Sequence, residues 1–188
     1  MSASTAGGPE PQTLDEILDW HEGVVDALVA QRAAVRLAAT MGSAVSARFV
    51  GMTLDELEAY FDLQRRELDR LTVLNLVASV EASIRADFSR RVEGKRKDPL
   101  AKDYRKWHKT LSSGKKRRPD FDEEGILDLV KENADRPLKN LVGRFRECLR
   151  ARHWVGHGRY WSKPPGMDSL DPVEVFERCR ALLQAWPD

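Results

Sequence analysis

Arg152, His153 and His157 are three side chains suited to phosphate and proton chemistry, and they fall together in the run Arg152-His153-Trp154-Val155-Gly156-His157. A guanidinium suits phosphate because its planar fork donates two parallel hydrogen bonds and keeps its charge. Imidazole suits proton transfer because it ionises near neutrality. Together they match the needs of RNA cleavage without a metal: help in removing the 2′-hydroxyl proton, a cation for the phosphate, and an acid for the leaving 5′-oxygen. On a continuing helix His153 and His157 lie one turn apart on one face, whereas Arg152 and His157 diverge unless the helix ends. Gly156 and Gly158 are expected to supply that end, since glycine takes the left-handed cap conformation at little cost. A histidine in the last turn also meets the negative end of the helix dipole, which favours imidazolium. A metal reading through Cys148, His153 and His157 is weaker. The histidines lack the Glu of a zincin, and Cys148 falls on an expected core face. Neither metal nor cofactor is expected.

The elements that position these residues read as helices. Thr13-Leu14-Asp15-Glu16 and Thr53-Leu54-Asp55-Glu56 are capping boxes, in which the threonine hydroxyl accepts from an amide and the glutamate reaches back. The first opens an amphipathic helix to about Ala39 with Leu14, Ile17, Leu18, His21, Val24, Val25 and Leu28 inward. The second opens a long pattern through Leu57, Phe61, Leu68, Leu71, Leu74, Leu76, Val80, Ile84 and Phe88, with Gly42 and Gly51 in the stretch between the two. Short helices are expected over Pro99–Leu111 and Asp122–Asn133. A longer one opens at Pro137, with Leu138, Leu141, Val142, Phe145, Cys148 and Leu149 inward. The last starts at Asp171-Pro172-Val173-Glu174, with Asp171 as N-cap. No strand pattern and no repeat is seen. The expectation is an all-α bundle of five to six helices, one domain over residues 13–188, with a disordered tail over 1–12 and a basic insertion near 93–119.

The 188 residues carry a net charge of only +1, but unevenly. Arg85 to Arg118 holds 14 Lys/Arg against four acids, a local +10, which leaves −9 elsewhere. Such asymmetry fits a phosphate-rich partner and equally a solvated basic loop. Lys115, Lys116, Arg117 and Arg118 are candidates for RNA contact, with a nuclear signal or plain solvated charge as alternatives. Tyr104, Trp107 and His108, interleaved with Lys102, Arg105, Lys106 and Lys109, form a second candidate RNA surface; Trp107 equally suits an anchor to the bundle. Tyr160 and Trp161 suit either base stacking or a lid on the core. Cys148 and Cys179 have neither zinc nor disulfide-scaffold spacing. The first residues lack the apolar stretch of a signal peptide, and no window is apolar enough to cross a bilayer. A reduced, soluble, cytoplasmic protein is expected.

Arg152-His153 followed by three spacers and His157 resembles the ribonuclease motif of the HEPN superfamily: Arg, a polar residue, a few spacers and His. Leu76-Val77-Ala78-Ser79-Val80-Glu81-Ala82-Ser83-Ile84-Arg85 looks like the earlier core helix of its RiboL-PSP-type ribonuclease branch. The resemblance spans about Leu71 to Trp161. It implies a helical bundle, usually a homodimer with two motifs facing a shared cleft, and metal-independent endoribonuclease activity in toxin–antitoxin or antiviral defence. Some members are inactive RNA-binding or interaction modules. On this likeness Arg152 binds the scissile phosphate, His157 transfers a proton, and His153, where Asn is commonest, orients the site or assists. Glu81 is a possible supporting residue from the facing helix, a surface or capping role being the alternative. RNA, a second copy and an antitoxin are the implied partners.

Overall fold

A computed structural model of the chain describes residues 12–43, 46–94, 96–112, 120–157 and 171–187. Those residues form six α-helices and no strand: α1 Leu14–Thr40, α2 Leu54–Glu93, α3 Pro99–Ser112, α4 Ile126–Asn133, α5 Arg136–Gly156 and α6 Pro172–Gln184. Both capping boxes form. Thr13 and Thr53 each accept from the amide three residues on at 3.2 Å, and Glu16 and Glu56 each return to the cap amide at 2.8 Å. Between them Gly42 and Gly51 take positive φ, 63° and 84°, a region costly for residues with a side chain.

At 40 residues α2 is about 60 Å long at 1.5 Å per residue. It is the spine of the fold, packing against α1, α3, α5 and α6. The main core lies along its C-terminal half: Val73, Leu76, Val77, Val80, Ile84 and Phe88 meet Val142, Phe145, Cys148 and Leu149 of α5 and Val175, Phe176, Cys179 and Leu182 of α6. The other end of the α1–α2 hairpin has its own small cluster, Phe49, Leu57 and Phe61, with Tyr60 edge-on to both rings. Arg32 and Arg36 of α1 both pair there with Glu58 of α2. His21, buried in α1, is held by Asp69 of α2 at 2.8 Å.

Several expectations need correction. Leu71 does not join the inward row; it is 48% exposed, because the buried face runs from Leu68 through Thr72 and Val73 to Leu76. The helix expected from Asp122 starts only at Ile126. Residues 121–125 form a turn in which Glu124 has φ 52° and Gly125 is the N-cap. Tyr104 is wholly buried, edge-on to Phe88 at 4.8 Å, and belongs to the core rather than to a surface for RNA. Burial of Tyr104, Leu100 and Ala101 docks α3 onto α2, each large apolar side chain contributing about 1.5–3 kcal/mol. No described helix is long and apolar enough to cross a membrane.

Candidate functional site

The candidate residues sit on the last turns of α5, whose start is fixed by Asp135 accepting from the Leu138 amide at 3.0 Å. The inward face of α5 continues through Ala151, Trp154 and Val155, all buried, so the residues between them are turned outward. Arg152 is half-buried; His153 and His157 are exposed. Of the two glycines expected to end the helix, only Gly156 is among the described residues. Gly156 is still helical, and His157 is the C-cap with φ −96°, its amide donating to the His153 carbonyl at 3.0 Å. A β-carbon at Gly156 would meet only Leu74 Cδ1, at 3.9 Å, so that glycine is not demanded by space. Gly158, Tyr160 and Trp161 lie outside the described residues, as do Lys115, Lys116, Arg117 and Arg118.

His153 and His157 stack, with ring centroids 5.8 Å apart and planes inclined by 23°. Arg152 and His153 line a groove of about 440 Å³ together with Glu81, Arg85, Asp120, Phe121, Asp122 and Glu123. Glu81, on the facing turn of α2, holds two guanidiniums: Arg85 Nε at 2.9 Å through one carboxylate oxygen and Arg152 Nη2 at 3.4 Å through the other. Arg85 in turn lies over the face of Phe121, 5.0 Å from its centroid, as a cation–π pair. Arg152 is thereby aimed by a carboxylate from another helix.

The wall carrying Phe121 is rigidly built. Arg146 of α5 donates to the Asp122 carbonyl at 3.1 Å and to Asp128 at 2.7 Å, and its Nε pairs with the Asp122 carboxylate at 2.5 Å. Asp128 also accepts from the Glu124 amide at 2.9 Å. Burial alone would raise the Asp128 carboxyl, but the hydrogen bonds from Arg146 and the Glu124 amide outweigh it and hold the group below its ordinary range. Gly125 is required here: a β-carbon would sit 2.4 Å from the Asp120 carbonyl oxygen.

Four carboxylates therefore line the groove against two guanidiniums and one imidazole. Arg85, Phe121 and the acidic rim were not singled out from sequence. Arg85 had a local signal, since it stands one turn after Glu81; Phe121 and the rim reach the groove only through the tertiary turn. Of the second candidate surface, Lys102 and Lys106 are exposed. Trp107 is half-buried and packs edge-on against Phe88 at 5.9 Å. Arg105 spends its guanidinium on the Arg91 and Arg96 carbonyls, at 3.0 and 2.6 Å. Cys148 is fully buried, with its thiol toward the Arg144 carbonyl, so it lies at a different depth from the two histidines. Among the described residues no group of three or more His, Cys, Asp or Glu is placed to hold a metal ion. No protein-family model, no curated protein and no solved structure matches this chain.

Proposed function

We propose that the chain is a metal-independent endoribonuclease of HEPN type, acting as a toxin or antiphage effector in the cytoplasm. The observation that carries this reading is the convergence of Arg152 and His153 on one groove, with the His157 ring stacked on that of His153 and Glu81 aiming the guanidinium. In the reaction the 2′-oxygen attacks the adjacent phosphorus while its proton passes to a base. Arg152 neutralises charge growing on the non-bridging oxygens. The bond to the 5′-oxygen breaks, and His157 delivers the proton that oxygen needs. The products are a 2′,3′-cyclic phosphate and a free 5′-hydroxyl. His153 orients the site or shares the proton transfers.

The acidic rim gives the second copy a role. A single groove with Glu81, Asp120, Asp122 and Glu123 resists a polyanion. A two-fold partner that turns its own Arg152, His153 and His157 to a common cleft, with its acidic rim facing outward, would raise the guanidinium and imidazole count there without raising that of the carboxylates. The same excess of carboxylates favours, as a second reading, a bundle that recognises a partner protein and does not cleave RNA. An antitoxin or other regulatory protein would hold an active form in check.

Expression in a bacterial host, with total RNA examined on a gel, tests the proposal. Wild type should degrade RNA in the presence of EDTA. His157→Ala should abolish cleavage, and Arg152→Lys should fail because an ammonium lacks the bidentate fork. Intact RNA with wild type, or undiminished cutting by His157→Ala, would replace the nuclease reading with the second one.

A further inference from the structure

Away from that groove, on another face of α2, lies a second cavity of about 360 Å³ lined by residues of α2 and α6, by Arg96 and by the C-terminal Trp186-Pro187. Its floor is apolar, made by Ile84 and Leu183, and three guanidiniums stand around it: Arg90, Arg91 and Arg96. Arg91 is 1% exposed and fully committed. Its Nε donates to Asp87 at 2.7 Å, Nη1 to Asp98 at 2.8 Å, and Nη2 to the Pro187 carbonyl. Arg90 and Arg96 reach the same carboxylates only loosely, at 3.9 Å from Asp87 and 3.4 Å from Asp98. Both remain largely exposed at the cavity mouth. Arg105 stands behind, on backbone carbonyls. Four guanidiniums against two carboxylates leave a local excess of two positive charges, held mainly where a ligand can meet it.

One wall of the cavity is the Trp186 indole. Its Nε1 donates to Asp87 at 3.1 Å, which fixes the ring against the same carboxylate that anchors Arg91. A hydrogen-bonded indole, the apolar side chains of Ile84 and Leu183 and two exposed guanidiniums form a combination of defined chemistry. A phosphate monoester carries about −1.5 to −2 at neutral pH and three acceptor oxygens, which matches the excess charge and the forks of Arg90 and Arg96. An aromatic base attached to that phosphate has the indole and the apolar floor to pack on. The cavity is near the small end of ligand sites, about 300–1,000 Å³, so it suits one nucleotide rather than a run of them.

We propose that this cavity binds a phosphate monoester bearing a nucleobase, with Arg90 and Arg96 on the phosphate and Trp186 beside the base. Such a group comes either as a free nucleoside monophosphate or as the phosphorylated end of a nucleic-acid strand. The site shares no lining residue with the Arg152 groove and stands whether or not that groove cleaves RNA.

Calorimetric titration of the full chain tests it with 5′-AMP, adenosine, inorganic phosphate, and a short oligodeoxyribonucleotide, which lacks the 2′-hydroxyl that cleavage needs, in its 5′-phosphate and 5′-hydroxyl forms. AMP is expected to bind, inorganic phosphate more weakly, and adenosine not at all. Replacing both Arg90 and Arg96 with alanine should weaken AMP by about tenfold or more, roughly the loss of charge-assisted contacts worth 1.4 kcal/mol per decade. Both residues are exposed enough for the variant to fold, which circular dichroism checks. Arg152→Ala should leave AMP affinity unchanged, which places binding outside the other groove. Trp186→Leu should weaken AMP but not inorganic phosphate. Tighter binding of the 5′-phosphorylated oligonucleotide than of AMP assigns the strand end as the source; the reverse assigns the free nucleotide. Equal binding of the 5′-hydroxyl and 5′-phosphate oligonucleotides, no AMP binding at millimolar concentration, or an Arg90/Arg96 variant that binds AMP like wild type would each overturn the proposal.

Discussion

Arg91→Ala is the perturbation whose cost the structure defines best. The guanidinium is buried and joins three parts of the chain: its own helix through Asp87, the start of α3 through Asp98, and the chain after α6 through the Pro187 carbonyl. Removing it leaves two carboxylates facing a cavity shaped for a cation. Breaking a buried ion pair by deleting one partner costs about 3–5 kcal/mol. Here the carboxylates keep other donors, the Trp186 indole N–H at 3.1 Å on Asp87 and the Ala101 amide at 2.9 Å on Asp98, with Arg90 and Arg96 close by. These place the expected loss near the lower end, about 3 kcal/mol. With a urea slope of about 2 kcal/mol per molar, the midpoint should fall by about 1.5 M in far-UV circular dichroism. The reasoning also predicts a rescue. Arg91→Met combined with Asp87→Asn and Asp98→Asn removes the stranded charge while asparagine still caps α3, so this triple variant should regain most of the loss. A midpoint unchanged by Arg91→Ala, or a triple variant less stable than the single one, would refute the assignment of Arg91 as the electrostatic hub of this corner.

The remaining expectations concern the helix starts, the thiols and the groove wall. Glu16 and Glu56 are held below the ordinary carboxylate range, chiefly by the backbone amides and then the hydroxyls of Thr13 and Thr53. Because their folded pKa is lowered, this stabilisation is present above the unfolded pKa, about 4.3, and is lost as pH falls through the folded value; carboxyl NMR titration should show both midpoints depressed, and Thr13→Ala or Thr53→Ala should move the matching one only part of the way back, because the backbone amide still donates. Burial pushes the Cys148 and Cys179 thiols up, so both should react with a thiol reagent far more slowly than in urea. Gly125→Ala forces the 121–125 turn off the Asp120 carbonyl and should lower stability by more than about 1 kcal/mol, with Phe121 and Arg85 signals shifting together in NMR spectra.

What was legible in the sequence follows the range of the forces involved. Capping boxes act within four residues, and both appear where Thr13 and Thr53 stand. Apolar periodicity reads one face of one helix, so the inward residues of α5, from Leu138 to Leu149, came out as expected. Periodicity does not choose between the i+3 and i+4 positions, and after Leu68 the buried one is Thr72, so Leu71 is exposed although it fits the row. The turn at 121–125 was read as helix because its acids suit a helix start. What denies the helix is long-range: Arg146, 18 residues or more downstream, takes Asp122 and Asp128, and Asp128 in turn accepts from the amide of Glu124, which stands at positive φ.

The basic segment shows the same limit for charge. From sequence, Arg85 to Arg118 is a run of cations with a single character. In the fold its members divide by what lies opposite them. Arg85 is stacked on Phe121 and paired with Glu81; Arg91 is buried among Asp87, Asp98 and a carbonyl; Arg105 holds two backbone carbonyls. Lys97, Lys102 and Lys106 face solvent. A guanidinium's five donors let it bridge elements that an ammonium, with one point of charge, does not hold. Among the described residues of this segment the arginines have accordingly been drawn to other elements or to the two cavities described above, and Lys97, Lys102 and Lys106 left on the surface.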